Sequence, residues 1–216
     1  MSYDILHKHF ETAYRTGTDL WSDTASSMIN AKALAEVVPA GGIVLDLGCG
    51  RGRFAFELVK HGLRVIGLDI IPLIVKQNNE EVKRLTLEKT LRFAEGSVFD
   101  IPFAENGFEA VIDIGLLHHI RPDDFEKYVN EVARVTKKDG YLFLVELSKE
   151  NNAYLSWNPK ADEKNDFDYH GVPYHFFTPD EIEKIFAQHF TVISHKVKYR
   201  EDRDDEAHLV TLLQKK

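Results

Sequence analysis

Cysteine is nearly absent. Cys49 stands alone in 216 residues, so no intrachain disulfide can form. No apolar stretch approaches the roughly 20 residues that span a bilayer. Met1 to Phe10 carries His, Lys and Asp in place of an apolar leader core, so neither a membrane span nor a secretory leader is expected. A reducing, cytoplasmic setting follows as the expectation. Positive charge is not in excess: the formal net charge is −8, which speaks against a global grip on nucleic-acid phosphates. Internal repeats and low-complexity tracts are missing. So are two phosphate-binding signatures. A G-x-G-x-x-G read from Gly48 needs glycine at 53, where Arg53 stands, and G-x-x-x-x-G-K-[ST] occurs nowhere.

What is there reads as an ordinary globular chain, with 44% hydrophobic and 29% charged residues, and the length suits one domain over residues 1–216. Apolar runs predict strands at Ile43 to Leu47, Arg64 to Leu68, Leu91 to Ala94, Ala110 to Ile114 and Tyr141 to Leu147, the last after a turn at Lys137 to Gly140. Helical spacing predicts helices over Tyr3 to Tyr14, Asp23 to Val38, Arg53 to His61, Pro72 to about Leu87, and Asp123 to Thr136. Strands alternating with helices imply an α/β fold with right-handed crossovers and a mostly parallel sheet covered on both faces. After Leu147 the rhythm breaks for thirty residues, Ser148 to Phe177. Thr178-Pro179-Asp180-Glu181 then reads as a capping box. Phe190 to Tyr199 and His208 to Leu213 read as an antiparallel hairpin around a charged turn.

The densest chemistry is in Ile43-Val44-Leu45-Asp46-Leu47-Gly48-Cys49-Gly50-Arg51-Gly52-Arg53. A buried strand, a glycine loop and a helix start follow one another, and the glycines let a ligand approach the main chain. Cys49 is a small residue that fits this loop; no base stands near it in sequence to make it a nucleophile. Asp69 closes the next strand, 19 residues after Gly50, where a carboxylate is placed either to hold a ribose diol or to cap a helix. The pairing with the glycine loop favours the ribose. Asp46 argues against a pyrophosphate, which it would repel, and suits a ligand carrying an ammonium and a sulfonium.

At these residues the chain resembles class I S-adenosylmethionine-dependent methyltransferases, in particular the type 11-like small-molecule group. The likeness continues through Val65-Ile66-Gly67-Leu68-Asp69-Ile70, Glu95-Gly96-Ser97-Val98-Phe99-Asp100, Phe108 to Ile112, and Leu116-Leu117-His118-His119-Ile120, and covers Ile43 to about Leu147. It implies a Rossmann-like, doubly wound seven-stranded sheet, mostly parallel, with an antiparallel C-terminal hairpin and an N-terminal helical cap over residues 1–40. It implies S-adenosyl-L-methionine as cofactor, leaving as S-adenosyl-L-homocysteine. Gly48, Cys49 and Gly50 would lie against the methionine moiety with Asp46 near its ammonium. Asp69 would hold the ribose hydroxyls, Ile70 would pack on adenine, Ser97 and Val98 would border its edge, and the backbone around Ile114 would meet the methionine end. Many relatives carry Asp at the position of Ser97; a hydroxyl still accepts a hydrogen bond from the adenine amino group, with less charge assistance.

Methyl transfer needs alignment more than covalent help, and a base where the acceptor arrives protonated. His118 and His119 follow the fourth strand and are the candidate catalytic bases; the alternative is that they cap the loop and pack beside the cofactor. Asp113 stands between the same two roles. Adjacent histidines lack the spacing of a helical metal pair, so no metal is expected. Substrate contacts are expected outside the shared sheet. The candidates are Tyr14, Arg15 and Trp21 in the N-terminal segment, and Tyr174 and His175 in the 148–177 insertion, which reads as a lid or as a satellite aromatic cluster. A small-molecule acceptor is expected, with no membrane and nucleic acid disfavoured, since Lys196, Lys198, Arg200 and Arg203 are interrupted by acidic neighbours. An RNA or protein methyltransferase and a non-catalytic cofactor-binding subunit are the competing readings.

Overall fold

The computed structural model describes residues 3–19, 21, 30–157, 166–201 and 203–216. Its centre is a seven-stranded sheet of order β3-β2-β1-β4-β5-β9-β8. The strands are β1 (Ile43–Leu47), β2 (Arg64–Asp69), β3 (Leu91–Glu95), β4 (Phe108–Ile114), β5 (Thr136–Leu147), β8 (Phe190–Arg200) and β9 (Arg203–Lys215). The first five run parallel; β9 pairs antiparallel with both β5 and β8. The expected Rossmann-like architecture is therefore the observed one. Strand order reverses between β1 and β4, which opens a crevice at their carboxyl ends, where ligands of such sheets bind.

Two cores flank the sheet. On one face α2 (Ala31–Val37), α3 (Arg53–Lys60) and α4 (Pro72–Arg84) bury Leu34, Phe54, Leu58 and Val75 against Val44, Val65, Ala110 and Ile112. On the other, α5 (Phe125–Val135) and α6 (Pro179–Phe186) bury Tyr128, Val132, Ile182 and Phe186 against Leu45, Leu47, Val111 and Leu144. Alternation along each strand sorts its side chains between these two faces. α2 is capped by Asn30, whose side chain accepts from the Lys32 and Ala33 amides. The Asp23 to Met28 part of the helix expected there lies outside the described residues.

Three local expectations change. The turn at Lys137 to Gly140 is a bulged opening of β5, with Asp139 at positive φ, so that strand begins at Thr136. The break after Leu147 contains a 3-10 turn at Ala153–Trp157 and a hairpin, β6 (Asp166–Tyr169) with β7 (Val172–His175). The capping box at α6 is one-sided: Thr178 Oγ1 accepts from the Glu181 amide, but the Glu181 carboxylate turns to His175 Nε2 at 2.9 Å.

Candidate active site

The loop after β1 is held open by backbone geometry. Gly48 and Gly50 have φ of +59° and +49°, a region that strains any residue with a Cβ. A Cβ at Gly50 would also lie 2.8 Å from the Tyr14 hydroxyl oxygen. The Cys49 amide donates to Leu68 O and the buried Asn78 side chain donates to Gly50 O at 2.7 Å, so β2 and α4 both fix the loop. Asp69 completes the arrangement, accepting from the Gly50 amide through one oxygen and from the Ile71 amide through the other, both at 2.9 Å. Ile70, next in sequence, is 47% exposed, an uncovered apolar side chain beside a buried carboxyl.

Asp46 is 3% exposed and its Oδ2 is sealed from solvent with no hydrogen-bond partner. Burial, with the Asp113 and Asp69 carboxyls nearby, pushes it up to about 8. Burial also raises Asp69, against the pull of its backbone donors. An unpartnered buried carboxyl next to a glycine loop is a place where a cation would be stabilised. The Cys49 thiol is half-buried and burial pushes it well up, which leaves it unreactive.

Across the crevice, a 3-10 turn at Leu117–His119 follows β4. The buried His118 imidazole places Nδ1 2.7 Å from Glu146 Oε2, and the His118 amide donates to that same oxygen at 3.0 Å. Glu146 lies on β5 and is fully buried. Burial pushes Glu146 up to about 8, against the pull of its donors; in its ionised form it accepts from His118, which puts the ring proton on Nδ1 and leaves the Nε2 lone pair free. Burial, then the His175 imidazole, lowers His118 to about 3, so it is a neutral imidazole. Asp113 turns away from the ligand crevice: Oδ1 accepts from the Leu116 amide at 2.8 Å and Oδ2 from the Tyr128 hydroxyl at 2.6 Å. His119 donates through Nδ1 to Pro173 O at 2.9 Å, tying the turn to β7.

The N-terminal helix α1 (Asp4–Thr16) lies over this edge. Phe10 meets His119 and Trp21 edge-on at centroid distances of 5.3 and 5.2 Å, and Tyr14 meets Trp21 at 6.1 Å. Tyr174 packs against His119 at 4.8 Å and lies parallel to His118 at 6.3 Å. Arg51, from the glycine loop, clamps the end of α1 through a two-pronged pair with the buried Asp19, both contacts 2.6 Å. The structure thus brings together Asp46, Gly48, Cys49, Gly50, Asp69, Ile70, His118, His119, Tyr14, Trp21 and Tyr174. Ile114 ends β4 beside them. Ser97 and Val98 follow β3, the Ser97 hydroxyl accepting from the Phe99 amide. Two candidates point elsewhere. Arg15 is exposed and pairs with Glu11 on the outer face of α1, and His175 is turned toward Glu181. Sequence reasoning passed over Glu146, Asn78 and Asp19. Glu146 had a signal, a lone carboxyl in the otherwise apolar run Phe143 to Leu147.

This strand order, with a glycine loop after β1 and acidic residues near the carboxyl ends of β1 and β2, defines the class I S-adenosylmethionine-dependent methyltransferase fold. The chain is similar to that family: the family model described as a methyltransferase domain matches residues 45–144. An uncharacterised methyltransferase of Synechocystis sp. is 32% identical over 124 residues, 57% of this chain and 55% of that protein. An S-adenosyl-L-methionine-dependent Diels-Alderase of Talaromyces variabilis is 34% identical over 177 residues, 76% of this chain and 56% of that protein. The chain therefore spans about half the length of these curated relatives. In fold, it is similar to the Burkholderia thailandensis 1,6-didemethyltoxoflavin-N1-methyltransferase, solved with 1,6-didemethyltoxoflavin and S-adenosylhomocysteine. That likeness has a TM-score of 0.78 at 24% identity and covers 98% of this chain and 88% of that one. Among the described residues no helix is long and apolar enough to cross a membrane, and no three metal-ligating side chains converge.

Proposed function

We propose that this chain transfers a methyl group from S-adenosyl-L-methionine to a small acceptor carrying an ionisable N–H or O–H, with His118 as general base. The observation that carries the reading is the pairing, at adjacent strand ends, of a cation-seeking buried carboxyl with a neutral imidazole whose outer nitrogen is free. Asp46 would hold the ammonium group of the cofactor. The second lone pairs of the Asp69 oxygens would take the ribose hydroxyls, and Ile70 would cover the adenine. When bound, the cofactor supplies a methyl group on a positively charged sulfur, which leaves with the electrons of the broken bond. The chain's own part is alignment and one proton: the acceptor proton passes to His118 Nε2 as the lone pair it uncovers meets the methyl carbon.

The aromatic side chains Phe10, Trp21, His119 and Tyr174 over this edge favour a small, planar acceptor, which would stack on them. The Burkholderia enzyme was solved with a small molecule of its own, 1,6-didemethyltoxoflavin, bound. Against a nucleic-acid substrate, Arg200 and Arg203 are engaged by Glu206 and Asp205. The test is calorimetric titration with S-adenosyl-L-methionine, S-adenosyl-L-homocysteine and NADH, followed by radiolabelled methyl transfer to a panel of planar heterocycles and phenols. Binding of the first two with transfer to at least one acceptor supports the reading. Binding without transfer across the panel would favour a non-transferring role, in line with the relative named as a Diels-Alderase. Preference for NADH would end the proposal.

A further inference from the structure

Behind the catalytic edge a buried polar chain leads inward from His118. It runs from Tyr128 on α5 through Asp113 on β4 and Glu146 on β5 to His118. Asp113 and Glu146 are both 0% exposed, and in the β4–β5 register Asp113 lies opposite Leu144, two residues from Glu146, so the two carboxyls rise from the same face of the sheet. No lysine or arginine pairs with either among the described residues. Two carboxylates cannot both be ionised in such a place; one proton stays with the pair.

Hydrogen bonding says where. Glu146 Oε2 accepts from the His118 amide at 3.0 Å and lies 2.7 Å from His118 Nδ1, while Glu146 Oε1 is sealed from solvent without an N–H or hydroxyl donor. The Asp113 carboxyl, on the same face of the sheet in the β4–β5 register, is placed to supply one. We propose that Asp113 is a positioning residue: in its neutral acid form it donates to Glu146, which stays an anion and holds His118 with the proton on Nδ1 and Nε2 open. Tyr128 steadies the acid by donating its hydroxyl to Asp113 Oδ2. The proposal rests on the reading of His118 as the base, and it explains how a strand-buried carboxylate survives without a cation. Facing the chain are His175 from β7, His208 from β9, and His119 with Tyr174 beside His118, and the Asp46 carboxyl acts on Asp113 from the other face of β1.

The experiment is nitrogen-15 NMR of the histidine side chains in the purified full-length chain, in wild type and in Asp113→Asn and Glu146→Gln. Asparagine is the neutral isostere of a protonated aspartate, so the proposal expects His118 to keep a protonated Nδ1 and a bare Nε2 in wild type and in Asp113→Asn. Asp113→Ala should blur that signature, with the asparagine variant restoring it. Glu146→Gln, which removes the anion, should lose it. A wild-type His118 protonated on Nε2 would overturn the proposal without any variant. So would loss of the signature in Asp113→Asn with retention in Glu146→Gln, which would put the charge on Asp113. His118→Ala with undiminished methyl transfer would instead remove the base assignment, a separate result that the tautomer spectra do not depend on.

Discussion

If Asp46 receives the ammonium of the cofactor, binding must expel a proton. The carboxyl is 3% exposed, has an unpartnered oxygen and is pushed up to about 8 by burial and by Asp113 and Asp69. At pH 7 a group at that value is protonated to about 0.9, so each cofactor molecule bound should release about 0.9 proton. If only the ionised form binds the cation, apparent affinity scales as the ionised fraction, which rises about ninefold between pH 6 and pH 7. An aspartate near its ordinary value of about 3.9 would give no change over that window. Measurements go no higher than pH 7.5, because the α-ammonium of the ligand itself begins to titrate near pH 8. His118, lowered to about 3, and His208, lowered to about 4, remain neutral throughout; Glu146, pushed up to about 8, titrates in the same window, so the slope is read against Asp46→Asn. The assay is isothermal titration of S-adenosyl-L-homocysteine in two buffers of different ionisation enthalpy, at pH 6, 6.5, 7 and 7.5, with Asp46→Asn alongside. The heat should differ between buffers for wild type and not for the variant, and the affinity of the variant should be flat with pH. A wild-type affinity independent of pH, with equal heats in both buffers, would refute the assignment of Asp46 as a neutral group that ionises onto a cation.

The other expectations are simpler. Asp69→Ala should weaken cofactor binding by about 1–3 kcal/mol, the scale of lost hydrogen bonds to a charged group, and an unchanged dissociation constant would remove the ribose role. His118→Ala should cut turnover while leaving cofactor affinity within about twofold; equal losses in both would mark the imidazole as structural. Arg51→Ala leaves the Asp19 carboxylate buried without its two-pronged partner, so amide exchange in α1 should quicken by an order of magnitude or more, about 1.4 kcal/mol of local protection or above. Exchange in α1 equal to wild type would show that the clamp does not hold the helix. Stability should fall as pH rises from 7 to 8, above the range where the buried neutral His118, His119 and His208 oppose the trend: the raised Asp46 and the proton kept by Asp113 and Glu146 mean that the folded chain binds more protons than the unfolded one, each tilting stability by up to about 1.4 kcal/mol per pH unit. A melting temperature that climbs across that window would contradict the sign.

What could be read from the chain alone were the parts that obey local rules. β1 and β2 announce themselves because a strand buried on both faces must be continuously apolar, and Asp46 and Asp69 stand out by ending such runs. The β6–β7 hairpin escaped because its turn, His170-Gly171, puts a histidine at φ +54°, where Asn or Asp is the usual signal. The helix before β1 starts at Ala31 because Asn30 caps it, a competition between side chain and backbone that apolar spacing does not register. The polar chain behind the site was beyond local reading for a different reason. Tyr128, Asp113, Glu146 and His118 meet only because β4 and β5 are adjacent, in a register that puts two carboxyls on one face, and because a 3-10 turn folds the imidazole back over them. Four carboxyls, Asp46, Asp69, Asp113 and Glu146, end up buried along neighbouring strand ends. Such a row persists only if each member finds a donor, keeps a proton or awaits a cation. Asp69 has backbone donors, Asp113 and Glu146 have hydroxyl and N–H donors and a proton between them, and Asp46 alone has none. By that elimination, the charge this fold lacks is the one its ligand must bring.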